Sequence, residues 1–167
     1  REVVSLSQNL TNTNVQNFEL LGSYASWTKD DKESTSASSV YKYNDKIINV
    51  VRIPGSESCT DDNSCSIGYA QSYYNYTLKN YNSSSSSGNP MNTETANISN
   101  GEDKLIECIK LDFEFTKDDV QYSARMFVRA GKSYTAIAMY SEPKSDSWGA
   151  NATQFMRNLQ LNAKTDS

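Results

Sequence analysis

Ile109-Lys-Leu-Asp-Phe-Glu-Phe115 sets Ile109, Leu111, Phe113 and Phe115 in strict alternation with Lys110, Asp112 and Glu114. Successive strand side chains point to opposite faces, so a period of two predicts a strand with one buried face. The next run, Val120-Gln-Tyr-Ser-Ala-Arg-Met-Phe-Val128, places Val120, Tyr122, Ala124, Met126 and Val128 on one face. The third, Tyr134-Thr-Ala-Ile-Ala-Met-Tyr140, is apolar at nearly every position, the pattern of a strand covered on both sides. Thr116-Lys-Asp-Asp119 and Arg129-Ala-Gly-Lys132 are the turns, with Gly131 placed for the positive φ of a tight hairpin. After Pro143 the period changes. Trp148, Ala152, Phe155, Met156 and Leu159 form one helical stripe, which Ser145 or Ser147 would cap and the sheet would cover.

Upstream, Val40-Tyr-Lys-Tyr43 and Ile47-Ile-Asn-Val-Val-Arg-Ile53 read as a strand pair turned at Asn44-Asp45 and ended by Pro54-Gly55. Phe18 to Trp27 is an earlier apolar cluster. Ile67, Ala70, Tyr74, Leu78 and Tyr81 recur at spacings of three and four, which predicts a helix over 67–81. Residues 82–92, with five consecutive serines at 83–87, read as a flexible loop. Thr93 to Asn100 is a further short strand, turned at Asn100-Gly101. The order predicts an α+β fold, a single α/β/α sandwich with a central antiparallel β-sheet and helices on its faces. The domain is expected over 17–162, between a polar tail or linker at 1–16 and a short tail at 163–167.

Composition excludes several functions. The chain has 167 residues, a net charge of −4 and no histidine, and its isoelectric point is near 4.9. Without a basic face there is nothing to displace counterions from phosphates, so nucleic acid is not an expected partner. The missing histidine removes the commonest general base and most zinc and iron sites. No Ser-x-x-Lys stands where it could act, so no enzyme, catalytic residue or cofactor is expected.

Cys59 and Cys65 bracket a short polar loop, Cys-Thr-Asp-Asp-Asn-Ser-Cys, that a disulfide could close in an oxidising compartment. Cys108 reads as a small buried hydrophobe. Asp61, Asp62 and Asn63 are the nearest approach to a calcium site, but the run is short and lacks the glycine of a ligand loop, so it reads as solvated turn acids. Asp30-Asp31 and Asp118-Asp119 read the same way. Asn-x-Ser/Thr sites at Asn9, Asn75, Asn82, Asn97 and Asn151 carry no weight in a chain so rich in these residues. Tyr69, Tyr73 and Tyr76 flank the stripe of the first helix; core packing explains most of its tyrosines, and these three are the candidate partner surface.

The closing pattern, Tyr122 to Val128, Lys132 to Tyr140 and Trp148 to Leu161, resembles the PsbP/Mog1-like fold family, with Phe18 to Trp27 and Val40 to Ile53 where that family places its first hairpin. The likeness covers 17–161 as architecture and supplies no site motif. It implies a non-enzymatic exported or cell-surface domain, a binding or accessory module of a bacterial lipoprotein, with an unknown protein or glycan partner. Residues 1–16 would be its spacer and the domain a monomer. A membrane tether would come only through a lipidated N-terminus preceding Arg1. The alternatives are an intracellular adaptor for a GTPase or protein complex, and a small hydrolase or calcium-dependent protein.

Overall fold

The alternating stretch becomes the interior of a large sheet. A computed structural model describes residues 7–8, 13–22, 24, 26–59, 63–80, 92–102 and 104–165, with side chains between 17 and 162. In chain order the elements are β1 (Ser7–Gln8), β2 (Thr13–Leu20), β3 (Thr28–Lys29), β4 (Ser38–Tyr43), β5 (Lys46–Pro54), α1 (Ser64–Asn80), β6 (Thr93–Ser99), β7 (Leu105–Lys117), β8 (Val120–Arg129), β9 (Tyr134–Pro143), α2 (Trp148–Arg157) and β10 (Leu159–Thr165). Eight strands form one sheet in the order β1-β7-β8-β9-β5-β4-β3, with β6 also on β7. All its pairings are antiparallel except β1 with β7. The fold is α+β.

Local chemistry explains the hairpins. Lys117 pairs with Val120, leaving only Asp118 and Asp119 in the turn, at φ of 50° and 63°. Two left-handed residues match the twist of the flanking strands, and aspartate tolerates that conformation better than most side chains. Asn44, at φ 52°, does the same between β4 and β5. Gly131 departs from expectation: the positive-φ glycines among the described residues are Gly22 and Gly101. The β8–β9 link spans residues 130–133, long enough to turn without a left-handed residue, and it leans on the end of β5. The Gly55 and Ser56 amides donate to the Ser133 and Gly131 carbonyls at 2.9 and 3.1 Å. A Cβ on Gly55 would lie 2.1 Å from the Gly131 oxygen, so the need for glycine falls on Gly55.

β9 has two covered faces, as its unbroken apolar run implies. Ile137 and Met139 join Met126, Val128, Leu111 and Phe115 in a core closed by Ala70, Tyr74 and Leu78 of α1. Ala136, Ala138 and Tyr140 join a second core with Phe127, Phe155 of α2, and Phe18, Leu159 and Leu161. Those last three belong to β2 and β10, which form a separate two-stranded antiparallel ribbon. The second face is therefore shared between one helix and a ribbon.

The ribbon corrects two expectations and runs past the bounds drawn for the domain. Leu159 lies on β10 and not on the helix, which ends at Arg157; Leu159-Gln-Leu161 has the period of a strand. Phe18 pairs with Leu161 outside the main sheet, so the first hairpin is β4–β5 without the Phe18–Trp27 segment. The pairing runs from Thr13 and to Thr165, into the segments read as tails. Polar strands held by backbone hydrogen bonds leave no hydrophobic pattern.

Helix details differ in similar ways. α1 begins at Ser64, ahead of the stripe, and Ile67 lies at the surface, 36% exposed. Ser66 is buried in its place, accepting the Ala130 amide at 2.9 Å. Tyr81 and the serine run fall outside the described residues. Ser147 occupies the N-cap of α2 without a side-chain cap bond. Glu142, 2% exposed, organises that turn instead, accepting from Ser145 Oγ and Asn151 Nδ2, each at 2.8 Å, and from Tyr140 Oη. A carboxylate at a helix N-terminus is favoured by the helix dipole. Burial, then the bond to Glu142, pushes the Tyr140 phenol up.

Candidate binding groove

α1 lies over β7 and β8, which leaves the β9-β5-β4 side of the same face partly open. Strand register fixes what that floor presents. Val40 pairs with Asn49, Asn49 with Met139, Met139 with Met126, and Met126 with Leu111. Directly paired residues share a face, so one transverse row reads Val-Asn-Met-Met-Leu. Asn49 is its one polar member.

The wall comes from α1. Tyr73, Tyr76, Thr77 and Asn80 stand at i, i+3, i+4 and i+7, one face of a helix. That face adjoins the stripe of Ala70, Tyr74 and Leu78 that seals the core. Together with Val40, Asn49 and Met139 on the floor and Glu33 and Ser38 at the rim, it encloses about 280 Å³. The Tyr73 and Tyr76 ring centroids are 5.6 Å apart with planes inclined by 33°. Tyr76 is 57% exposed, and Tyr73 is half-buried against the core.

Asn49 is 8% exposed, and its Oδ1 has no hydrogen-bond partner among the described residues. Buried polar atoms in native proteins are overwhelmingly hydrogen-bonded, and leaving one unpaired costs about 1–3 kcal/mol. This oxygen has almost no exposed surface of its own, so a ligand in the groove would complete it through a turn of the amide.

The rim is ordered by charge. Lys42 Nζ pairs with Glu33 and, at 2.9 Å, with Asp30. Asp30 Oδ1 also accepts the Lys32 and Glu33 amides at 3.0 and 3.2 Å, closing the turn that presents Glu33. The Lys42 ammonium, with help from the Glu33 amide, holds the Asp30 carboxyl down to about 2. Glu33 first and Asp30 second push Lys42 up to about 12.

The structure sorts the residues singled out from sequence. Tyr73 and Tyr76 meet at the groove, while Tyr69 packs against the core with its hydroxyl 3.4 Å from the Pro54 carbonyl. Cys59 and Cys65 form a disulfide with Cα atoms 5.7 Å apart, compatible with an extracellular or otherwise oxidising location. Asp61 and Asp62 lie outside the described residues. Asn63 donates to Glu107 Oε1 at 3.2 Å, and no cluster of three or more potential metal-ligating side chains occurs among the described residues. Cys108 is fully buried within β7, and burial pushes its thiol up to about 12. Among the described residues no helix is long and apolar enough to cross a membrane.

Sequence reasoning missed Asn49, Thr77, Asn80, Ser38 and Glu33. Asn49 carried a signal: it is the lone polar residue inside Ile47-Ile-Asn-Val-Val51.

No protein-family model and no curated protein matches the chain. Solved structures that match include a protein from Bacteroides thetaiotaomicron VPI-5482, 12% identical with a TM-score of 0.47, over 91% of this chain and 48% of that one. Another is LpqN, involved in cell envelope biogenesis of Mycobacterium tuberculosis, 10% identical with a TM-score of 0.40, over 89% of this chain and 90% of that one. The chain thus spans about half the length of the Bacteroides protein. At these scores the likeness is one of outline, and no ligand or activity passes from it to this chain.

Proposed function

We infer that this is a non-enzymatic, exported or cell-surface binding module, a three-layer domain of the PsbP/Mog1-like kind, whose ligand seats in the groove between α1 and β4-β5-β9. The observation that carries the reading is the unpartnered Oδ1 of Asn49, set in an apolar row within the groove that Tyr76 helps to line. A side chain that destabilises the free fold is better explained by what it binds than by what it packs. The Cys59–Cys65 disulfide supports export, and the absence of histidine supports binding over catalysis. A lipid tether ahead of the domain would suit an accessory module of a bacterial lipoprotein.

The test is an NMR titration of the isotopically labelled protein with four probes: cellotriose, chitotriose, trialanine and inorganic phosphate. Saturable shifts confined to Asn49, Tyr73, Tyr76 and Thr77, and lost in Asn49→Leu, are expected for at least one probe. The reading fails if all four leave those resonances unmoved, or if Asn49→Leu responds like the parent.

A further inference from the structure

We propose that the groove takes a neutral saccharide, one ring seated between the Tyr73–Tyr76 pair and the amide of Asn49; this rests on the binding reading above and names its ligand class. The groove is chemically two-sided. Two tyrosine rings with Val40 and Met139 offer apolar surface, while the same groove is lined by the nearly buried Asn49 amide and Thr77 hydroxyl and by the exposed Asn80 amide. A pyranose has the complementary form, with C–H bonds on one face and hydroxyls around its edge. Those C–H bonds carry partial positive charge toward the electron-rich face of an aromatic ring. Tyr76, more than half exposed on a regular helix, is a platform already in place.

Polarity argues against the other small-ligand classes. A hydroxyl both donates and accepts, and an asparagine amide does the same from its two ends, so a half-turn of the Asn49 amide matches either need. Phosphate and other anions bring only acceptors and would meet the Glu33 carboxylate at the rim. A hard cation asks for roughly six to eight converging oxygens, including carboxylates. The one carboxylate here is held by Lys42.

A peptide binding as an added strand needs an open edge with free backbone groups. The floor offers none, because β5 is paired with β4 on one side and β9 on the other. Size agrees as well. At about 280 Å³ the groove falls just below the roughly 300–1,000 Å³ of drug-sized sites. That suits one ring of a longer chain whose remainder lies outside.

The four-probe titration, extended to three variants, separates this proposal from the broader one. Cellotriose or chitotriose should shift Asn49, Tyr76 and Thr77, with trialanine and phosphate silent. Tyr76→Phe should keep the affinity, because stacking needs the ring and not the hydroxyl. Tyr76→Ala should weaken it at least tenfold, and Asn49→Leu should abolish it without lowering the melting temperature. Groove shifts with trialanine or phosphate and none with either sugar would overturn the saccharide assignment while leaving a binding groove standing. Silence from all four overturns both. Sugar-induced shifts confined to Trp27 and Trp148, on the opposite face, would also overturn it, as would Tyr76→Phe behaving like Tyr76→Ala.

Discussion

Asn49 is where stability and the proposed binding role come apart at a single position. Its neighbours across the row, Val40 and Met139, are apolar and buried, so Asn49→Leu replaces a side chain with an unpaired oxygen by one that suits the row. The variant should be more stable by about 1–3 kcal/mol, read as a higher urea midpoint at unchanged slope. A lower midpoint would mean that the amide holds the fold together. Asp30 gives a pH signature. Its carboxyl is held down to about 2 in the folded protein, so its contribution is complete above the ordinary carboxylate range and is lost as pH falls from near 4 through 2. Asp30→Asn should flatten that part of the acid unfolding curve, and a parallel curve would contradict the pairing with Lys42. The letters of the sequence expose Asn49 as a polar residue in an apolar run. They do not reveal that both neighbours in its row are apolar, because one of them lies on β9, far along the chain.

Elements differ in how openly the sequence declares them. β7, β8 and β9 are legible because tight turns and unbroken alternation leave one register that buries the apolar set. α1 is half legible: its core stripe stands out by hydropathy. Its groove stripe of Tyr73, Tyr76, Thr77 and Asn80 mixes aromatic with polar residues and merges into the helix surface. The start of α1 is tied down by the disulfide between Cys65 in its first turn and Cys59. Cross-linking so short a loop removes unfolded-state entropy worth about 2 kcal/mol. The Cys59→Ser/Cys65→Ser double variant should lose about that much in chemical denaturation, with the core strands the last to exchange amide protons. Thiol counting in denaturant should find one reactive group before reduction and three after it. Three before reduction would rule the bridge out, and the single thiol should stay silent in the native state, since Cys108 is sealed inside β7.

At the scale of the whole molecule, two cores share one sheet and are closed by different means. One lies under α1, and the other lies under α2 and the ribbon. The α+β class was legible, because a two-sided apolar strand demands a cover on each side. The ribbon was not: Thr13–Leu20 carries few apolar residues, and its pairing with β10 is a matter of backbone hydrogen bonds. Phe18, 1% exposed, is the ribbon's buried aromatic ring, beside Leu159 and Leu161. Phe18→Ala should therefore cost about 3–5 kcal/mol, measured by equilibrium unfolding. A loss below 1 kcal/mol would show that the second core closes without the ribbon.

The ribbon also bears on how the chain reaches its native state during synthesis. A ribosome delivers β2 well before β10, and each has the other as its partner. The α1-side core contains no residue of β10 and can close while the chain is still tethered. Until Leu161 has cleared the exit tunnel, Phe18 lacks its ladder partner and the cover that β10 gives the second core. Nascent chains stalled just before Leu159 should be cut readily around Phe18 by a limiting protease, and chains stalled well past Thr165 should resist.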